Sequence, residues 1–552
     1  MPRVPLGLGL ALQSVDIFPS PVQASTPKTR FFCRIVKKTG ANQAAIDDTT
    51  TSPHPTHWSV SAMKRMPLLL AFCILLLLAP FVSAQSDLPR SYDLRKSGGV
   101  TPIKKQQGGT CWAHGTMAAI ESNLIVSGNW KKFGNGGAPA FCEYHLDWWN
   151  GFNRHQNRDL ADATKDPTGM TVHQGGDYRV ATAYISRGDG VVCTKLPEKL
   201  GANPAYATPP AYTDPKCEKF YVRDVEWFTI GDNLEGIDVI KRRLMTQGAI
   251  GTAMTVNIGF MAKDFVHYQP LDNTKKPNHA IAIVGWDDDK TTADPNKKLP
   301  KPGCWLIKNS WGVERGDKGY YWISYYDRVC CRDPEMGAVS FRNIEPLKYS
   351  HVYYHDYHGW RATIKDISKA CNVFTATADH KLNAVSFYTA ADNVKYTATV
   401  YSKFEKGEPK LALATKTGVI ERTGFHTVDL DAAVVVTKGQ QFVVCLEVSH
   451  GGQAIDRTSE IEVLLQGDPK KEPDKTPDVK QPTPKKKFVP KGPRGPNGGP
   501  IVLSKANPEE SYYYNGVIWR DLYEYRFENP SWAMFDRTAN FCMKALAVDA
   551  PK

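Results

Sequence analysis

The run Cys111-Trp112-Ala113-His114-Gly115, read with Asn278-His279-Ala280 and Lys308-Asn309-Ser310-Trp311-Gly312, decides how this chain is organised. A thiol attacks only as the thiolate, so a nucleophilic cysteine needs an imidazole within hydrogen-bond reach and a third group to orient the ring. Cys111, His279 and Asn309 supply those residue types in that order. Behind the thiol, Ala113, Met117, Ile120 and Leu124 recur at helical spacing, which predicts a helix starting at or near Cys111. The positive end of such a helix favours a thiolate. The stretch from Ala280 to Trp286 reads as a buried strand, and Trp305-Leu306-Ile307 as another that ends in a turn at Asn309. Singly, each has a plainer reading: a small buried hydrophobe, a core histidine, a turn former. Their joint occurrence with Leu88-Pro89, Tyr92-Asp93-Leu94-Arg95 and Val100-Thr101-Pro102 ahead of them favours the catalytic one.

From Leu88 to Phe341 the chain resembles the papain-like cysteine peptidases, whose Cys-Trp-Ala, Asn-His-Ala and Lys-Asn-Ser-Trp-Gly segments recur here in order. The resemblance implies an α+β, two-lobed peptidase domain over 85–345. It implies His279 as general base and then acid, with Asn309 bonded to its ring under Trp311. The oxyanion hole would combine the Cys111 backbone N–H with a glutamine amide, Gln106 or Gln107. The separations 279 − 111 = 168 and 309 − 111 = 198 exceed the roughly 130 to 150 residues usual in the family. The loop before the nucleophile is at least one residue short and lacks the family's cysteine, Gly108-Gly109-Thr110 standing there instead, and His114 replaces an aromatic. Gly175 and Gly176 would line the cleft and pair with an extended peptide, while Asn278 and Ala280 would shape an apolar pocket beside the base. No cofactor and no metal is expected. His351, His355 and His358, and likewise Asp287-Asp288-Asp289, lack a recognised ligand spacing.

From about Leu347 the pattern changes to short alternating segments, among them Leu382 to Thr389, Tyr396 to Tyr401 and Phe442 to Val448, with Gly, Asp and Asn between them. That predicts an antiparallel β-sandwich over 346–552. Through Asn372-Val373-Phe374-Thr375-Ala376, Ala384-Val385-Ser386-Phe387-Tyr388, His426-Thr427-Val428-Asp429-Leu430 and Phe541-Cys542-Met543-Lys544-Ala545, this half resembles the lectin-like β domain of some secreted microbial papain-like peptidases. The resemblance implies a carbohydrate or cell-surface ligand; docking against the peptidase is an equal alternative.

A chain of 552 residues with 41% hydrophobic content suits two such domains with appendages. Met63-Lys64-Arg65, the Leu-rich stretch from Leu68 to Val82 and the small residues of Val82-Ser83-Ala84 read as a secretory signal peptide over 63–84, so residues 1–62 are expected to be a non-structural extension or a mis-assigned one, with translation starting at Met63. The apolar run is shorter than the roughly 20 residues a spanning helix needs, and no membrane span is expected after cleavage. Cleavage would leave no room for an inhibitory propeptide, and the sequence identifies no other brake on activity. Export permits disulfides. Of the 12 cysteines, Cys193 with Cys217 and Cys371 with Cys542 are the expected pairs, and neighbouring Cys330 and Cys331 are not expected to bond. Residues 467–500 read as a disordered, Pro- and Lys-rich insertion carrying about +5 of the net charge of +12, a solvated tether with no nucleic-acid motif. The expected protein is a secreted or extracytoplasmic, monomeric cysteine endopeptidase acting on peptides or proteins. The alternative is a surface or matrix binding protein whose peptidase domain is inactive, and acyl transfer to an amine would use the same thioester.

Overall fold

The thiol stands on the first residue of helix α1, Cys111–Val126. The predicted apolar positions are inside, but so are Glu121, Ser122 and Asn123, because the helix runs through the middle of its lobe rather than along its surface. Polar groups so placed need partners. Glu121 accepts from Thr101 Oγ1 at 2.6 Å, Lys104 Nζ at 2.7 Å and the Phe141 backbone N–H at 3.0 Å. Ser122 Oγ donates to Gly99 O at 2.6 Å and accepts from Ala249 N–H at 2.8 Å. Helices α2, Glu143–Trp149, and α3, Tyr178–Ser186, complete this lobe.

Opposite α1 lies an antiparallel sheet centred on His279–Asp287, which pairs with Ile250–Met254 on one side and Cys304–Lys308 on the other. Seven apolar residues in succession, Ala280 to Trp286, fit this central strand, buried on both faces. Tyr320–Ser324 extends the sheet beyond Cys304–Lys308, and Ala338–Pro346 joins Ile250–Met254 to Phe220–Phe228. Catalytic candidates thus come from a helix terminus on one lobe and strand ends on the other. This computed structural model describes residues 87–160, 168–193, 204–464, 494–527 and 536–550. The predicted extension 1–62, the signal peptide 63–84 and most of the 467–500 insertion lie outside them. Among the described residues no helix is long and apolar enough to cross a membrane.

The second half is a two-sheet sandwich. One sheet orders Glu408–Ile420, Val394–Glu405, Gln441–Val448, Lys369–Thr375, Ser511–Tyr514 and Trp519–Asp521. The facing strands, His380–Thr389, Gly424–Val436 and Met543–Asp549, enclose with it a core that includes Phe387, Val400, Phe442 and Phe541. The sandwich does not stand apart: Gly424, Phe425 and His426 pair with Glu226, Val225 and Asp224, so a single ladder continues from the first half into the second. Arg223 braces the join through Glu345 at 3.0 Å, Thr427 O at 3.3 Å and Asp429 at 2.9 Å.

Two expectations are corrected here. Cys371 bonds Cys445, its direct cross-strand partner, and Cys542 remains a buried thiol, because the antiparallel register of Lys369–Thr375 on Gln441–Val448 puts those two side chains on one site. The C-terminal end of the predicted disordered insertion is ordered: Arg494 bridges to Pro500, and Asn497 and Gly499 donate backbone N–H groups to the Glu460 carboxylate. Cys193 N–H donates to Glu218 O at 2.9 Å, which sets it beside the residue after Cys217, and the Cys330 and Cys331 sulfurs stand 4.0 Å apart.

Candidate active site

Asn309 follows Cys304–Lys308 and its backbone N–H donates to Gly319 O at 3.1 Å. Its Oδ1 accepts the Ser310 backbone N–H at 2.9 Å and meets His279 Nε2 at 2.9 Å. A backbone N–H can only donate, so that amide atom is the oxygen and His279 Nε2 must carry the proton. Nδ1 is left with its lone pair. That nitrogen is buried and has no hydrogen-bond partner among the described residues. Trp311 stacks on the imidazole with ring centroids 4.3 Å apart, sealing the His279–Asn309 bond from water.

Cys111 and His279 are both completely buried. Burial pushes the thiol up to about 11, against backbone hydrogen bonds at Ala280 and Trp112 that favour the thiolate. Burial likewise depresses the His279 imidazole to about 4, opposed by the bond to Asn309. Both groups are therefore neutral across the physiological range in this arrangement. The thiol does not bond His279; Sγ reaches Leu464 O at 3.7 Å.

The short loop before the nucleophile is held without a disulfide. Gly109 N–H donates to His173 O at 2.7 Å and Gly175 N–H to Gly109 O at 2.9 Å. Gln106 is committed to this loop: its Nε2 donates to Gly108 O at 2.8 Å and its Oε1 accepts from Ser310 Oγ at 2.6 Å. Gln107 is different, with its backbone N–H on Tyr144 OH at 3.0 Å and its side-chain oxygen buried without a partner. His114, the replacement for an aromatic, meets the Tyr144 ring edge-on at 5.8 Å.

Among the substrate-binding candidates, Gly176 lies against Trp112, where a Cβ would come within 2.4 Å of Cε2, so only glycine lets the backbone approach the cleft here. Its carbonyl accepts the Leu464 N–H at 2.9 Å. Asn278 Oδ1 accepts Val256 N–H at 2.7 Å, which spends that side chain on the scaffold, and Ala280 is buried beside the thiol. Sequence reasoning missed Leu464. It lies in Ile461-Glu462-Val463-Leu464-Leu465, an unremarked apolar run before the Pro- and Lys-rich segment, with no motif to mark it.

The three weak histidine candidates scatter. His351 stacks on His380, His355 Nε2 bonds Val373 O, and His358 meets Asp159 and Asp456. Among the described residues Asp159, His358 and Asp456 are the group whose donor atoms, within 4.8 Å of one another, could share a cation. Those atoms already have protein partners, since Ser504 Oγ bonds both His358 Nδ1 and Asp456 Oδ1 at 2.8 Å and Lys505 N–H bonds Asp159 at 2.6 Å.

The papain family cysteine protease pattern matches residues 88–134 and 166–338, and the lectin like domain matches residues 352–466. Human cathepsin L2 is 26% identical over 245 residues, 43% of this chain and 61% of that protein. Bovine pro-cathepsin H is 27% identical over 256 residues, 45% of this chain and 64% of that one. The chain thus spans about three-fifths of the length of these curated relatives. In fold it is similar to the cysteine protease and lectin-like domains of Cwp84, a surface layer associated protein of Clostridium difficile, with TM-score 0.58 and 21% identity over 84% of this chain and 89% of that one. The clostridial cysteine protease Cwp84 after propeptide cleavage gives TM-score 0.60 and 22% identity over 83% and 99%. Within residues 88–338 the chain thus carries the pattern of a papain family cysteine protease domain, and within residues 352–466 that of a lectin like domain.

Proposed function

We propose that this protein is an exported cysteine endopeptidase that hydrolyses peptide bonds through a Cys111 thioester, with residues 85–345 as the peptidase domain and 346–552 as the lectin-like sandwich. The observation that carries the reading is the fixed His279 tautomer, whose buried Nδ1 keeps a lone pair for the thiol proton. In the reaction, Nδ1 takes that proton as Sγ adds to the substrate carbonyl. The resulting oxyanion is held by the Cys111 backbone N–H at the start of α1 and by a glutamine amide, for which Gln107 is the better candidate because Gln106 is already engaged. The imidazolium then gives its proton to the leaving amine, and water resolves the thioester with His279 as base.

Export is supported by the apolar 68–82 segment and by the Cys371–Cys445 disulfide, since such bonds persist in oxidising compartments. For the sandwich, the shared ladder with the first half supports a docking role. A carbohydrate or cell-surface ligand is a separate proposal, and the protein is taken to act as a monomer. The test is a fluorogenic peptide library under reducing conditions on residues 85–552, on the Cys111→Ala form and, because Leu464 lies on the thiol, on a Leu464→Gly form. Hydrolysis by the chain with or without the Leu464 change, lost when Cys111 is also replaced, establishes the peptidase. Silence of all forms across pH overturns it and favours the binding-protein reading. An added amine acceptor separates hydrolysis from acyl transfer by its products.

A further inference from the structure

The cleft contains part of its own chain. After Gln453–Asp456 the polypeptide leaves the sandwich, pairs Ser459–Glu460 with Ile501–Val502, and continues over the peptidase fold. Ile461 N–H donates to Pro500 O at 2.9 Å, and three residues on Leu464 N–H donates to Gly176 O at 2.9 Å while its own carbonyl receives the Cys111 thiol at 3.7 Å. Ile461 and Leu464 are fully buried in the same cluster as Cys111 and Trp112. Glu462 turns outward to Lys276 at 3.7 Å. Main-chain bonds along a cleft edge, with apolar side chains inside and polar ones outside, are the means by which an extended peptide is bound.

We propose that Ile461–Leu464 is an internal ligand of the peptidase cleft that holds the intact chain inactive. The proposal rests on the peptidase reading of this cleft.

A thiol has one proton to give. With Leu464 O receiving it, His279 Nδ1 is left buried and unpartnered, so the thiolate and imidazolium pair is not assembled. The same segment lies on the thiol, and burial holds the thiol and the imidazole in their neutral forms. Its attachment is not confined to the cleft. On the return strand Ile501 O accepts Gly169 N–H at 2.6 Å and Leu503 O accepts Asn157 Nδ2 at 3.0 Å, so the strap is tethered on the helical lobe beside the cleft it fills. Moving Leu464 off the thiol breaks two main-chain contacts and exposes one side chain, a local opening that leaves the sandwich folded.

Alkylation of Cys111 by iodoacetamide, followed by the mass of its peptide, tests the strap without any need for catalysis. In residues 85–552 at pH 7 the thiol is expected to react slowly. Leu464→Asp places a charge in the apolar site and is expected to raise the rate at least about tenfold, as the thiol regains water and its partner base. A synthetic peptide of residues 457–464 added to the variant is expected to slow alkylation again in proportion to its occupancy. Should Leu464→Asp lose its cooperative unfolding transition, Leu464→Gly, which only removes the buried side chain, serves in its place. Equal alkylation rates for the intact chain and the variant overturn the strap. Faster alkylation without hydrolysis supports the strap and counts against the peptidase reading alone.

Discussion

His279 carries its proton on Nε2, and Asn309 decides that because its own oxygen is pinned by Ser310 N–H. The price is an imidazole kept neutral by burial. Its folded pKa is lowered to about 4, so between pH 6.5 and 4 the unfolded chain binds a proton that the folded chain refuses. Stability therefore rises with pH through that window, and the histidine's unfavourable contribution grows to roughly 3 kcal/mol as pH falls to its lower edge. Urea unfolding of the wild type and His279→Gln at pH 4.5 and pH 7 isolates the effect: the variant should gain about 2–3 kcal/mol on the wild type at the lower pH, and an unchanged difference would show a solvated ring. A second prediction concerns the oxyanion donor. Gln107→Ala should lower kcat/KM by roughly two to three orders of magnitude in a Leu464-released background, with the loss mainly in kcat. Gln106→Ala, which removes bonds to Gly108 and Ser310, should cost less and act through loop position. At this scale the sequence was legible where side chains form a contiguous motif, as around Cys111, His279 and Asn309. Leu464 was not, because its role comes from a backbone carbonyl that any residue would supply.

Helix α1 carries its thiol on a base that is more polar than its apolar periodicity suggests. Lys104 spans Glu121 at 2.7 Å and Glu143 at 2.5 Å, and Lys308 Nζ reaches Thr101 Oγ1 at 2.8 Å, so loop, helix and strand are tied by one buried network next to the His279–Asn309 pair. The lysine holds the Glu143 carboxyl below its usual range despite complete burial. Removing Glu121 leaves Lys104 paired with Glu143 but takes the acceptor from Thr101 Oγ1 and the Phe141 N–H, so Glu121→Ala should cost about 1–3 kcal/mol in denaturant unfolding, whereas no measurable loss would mean the network is solvated. Sequence periodicity located the helix and the strands His279–Asp287, His380–Thr389 and Val394–Glu405 because each repeats a local pattern. It did not find the network, whose members come from four separate segments. It mispaired Cys371 for a related reason: the partner depends on antiparallel register across 74 residues, which no local pattern records.

At the scale of the molecule, the change of pattern near Leu347 announces two folds but not that they share a sheet, since pairing between Phe220–Phe228 and Gly424–Val436 is a long-range contact between two ordinary strands. The described residues of the two halves consequently form one compact unit. The strap crosses the same junction, so a cleft filled from the sandwich side depends on the two halves keeping their register. Gly424 is the point at which that register can be tested. It opens the strand next to Val225, its φ is +150°, and a Cβ there would stand 1.9 Å from Val225 O, a backbone atom that cannot turn aside. Thr423, just before it, accepts the Trp227 N–H at 2.9 Å, and His426 two residues on bonds Asp224 at 3.0 Å, so a displaced residue 424 disturbs bonds on both sides. Gly424→Ala should therefore destabilise the chain by roughly 2 kcal/mol or more. Calorimetry should show one transition in the wild type and a broadened or divided one in the variant as the ladder between the halves is interrupted. If the variant keeps a single transition at an unchanged Tm, the halves are joined by side-chain contacts such as those of Arg223 and the shared ladder contributes nothing measurable to their coupling. Faster alkylation of Cys111 in the same variant, with residues 461–464 untouched, would show that the junction also sets how firmly the cleft is filled.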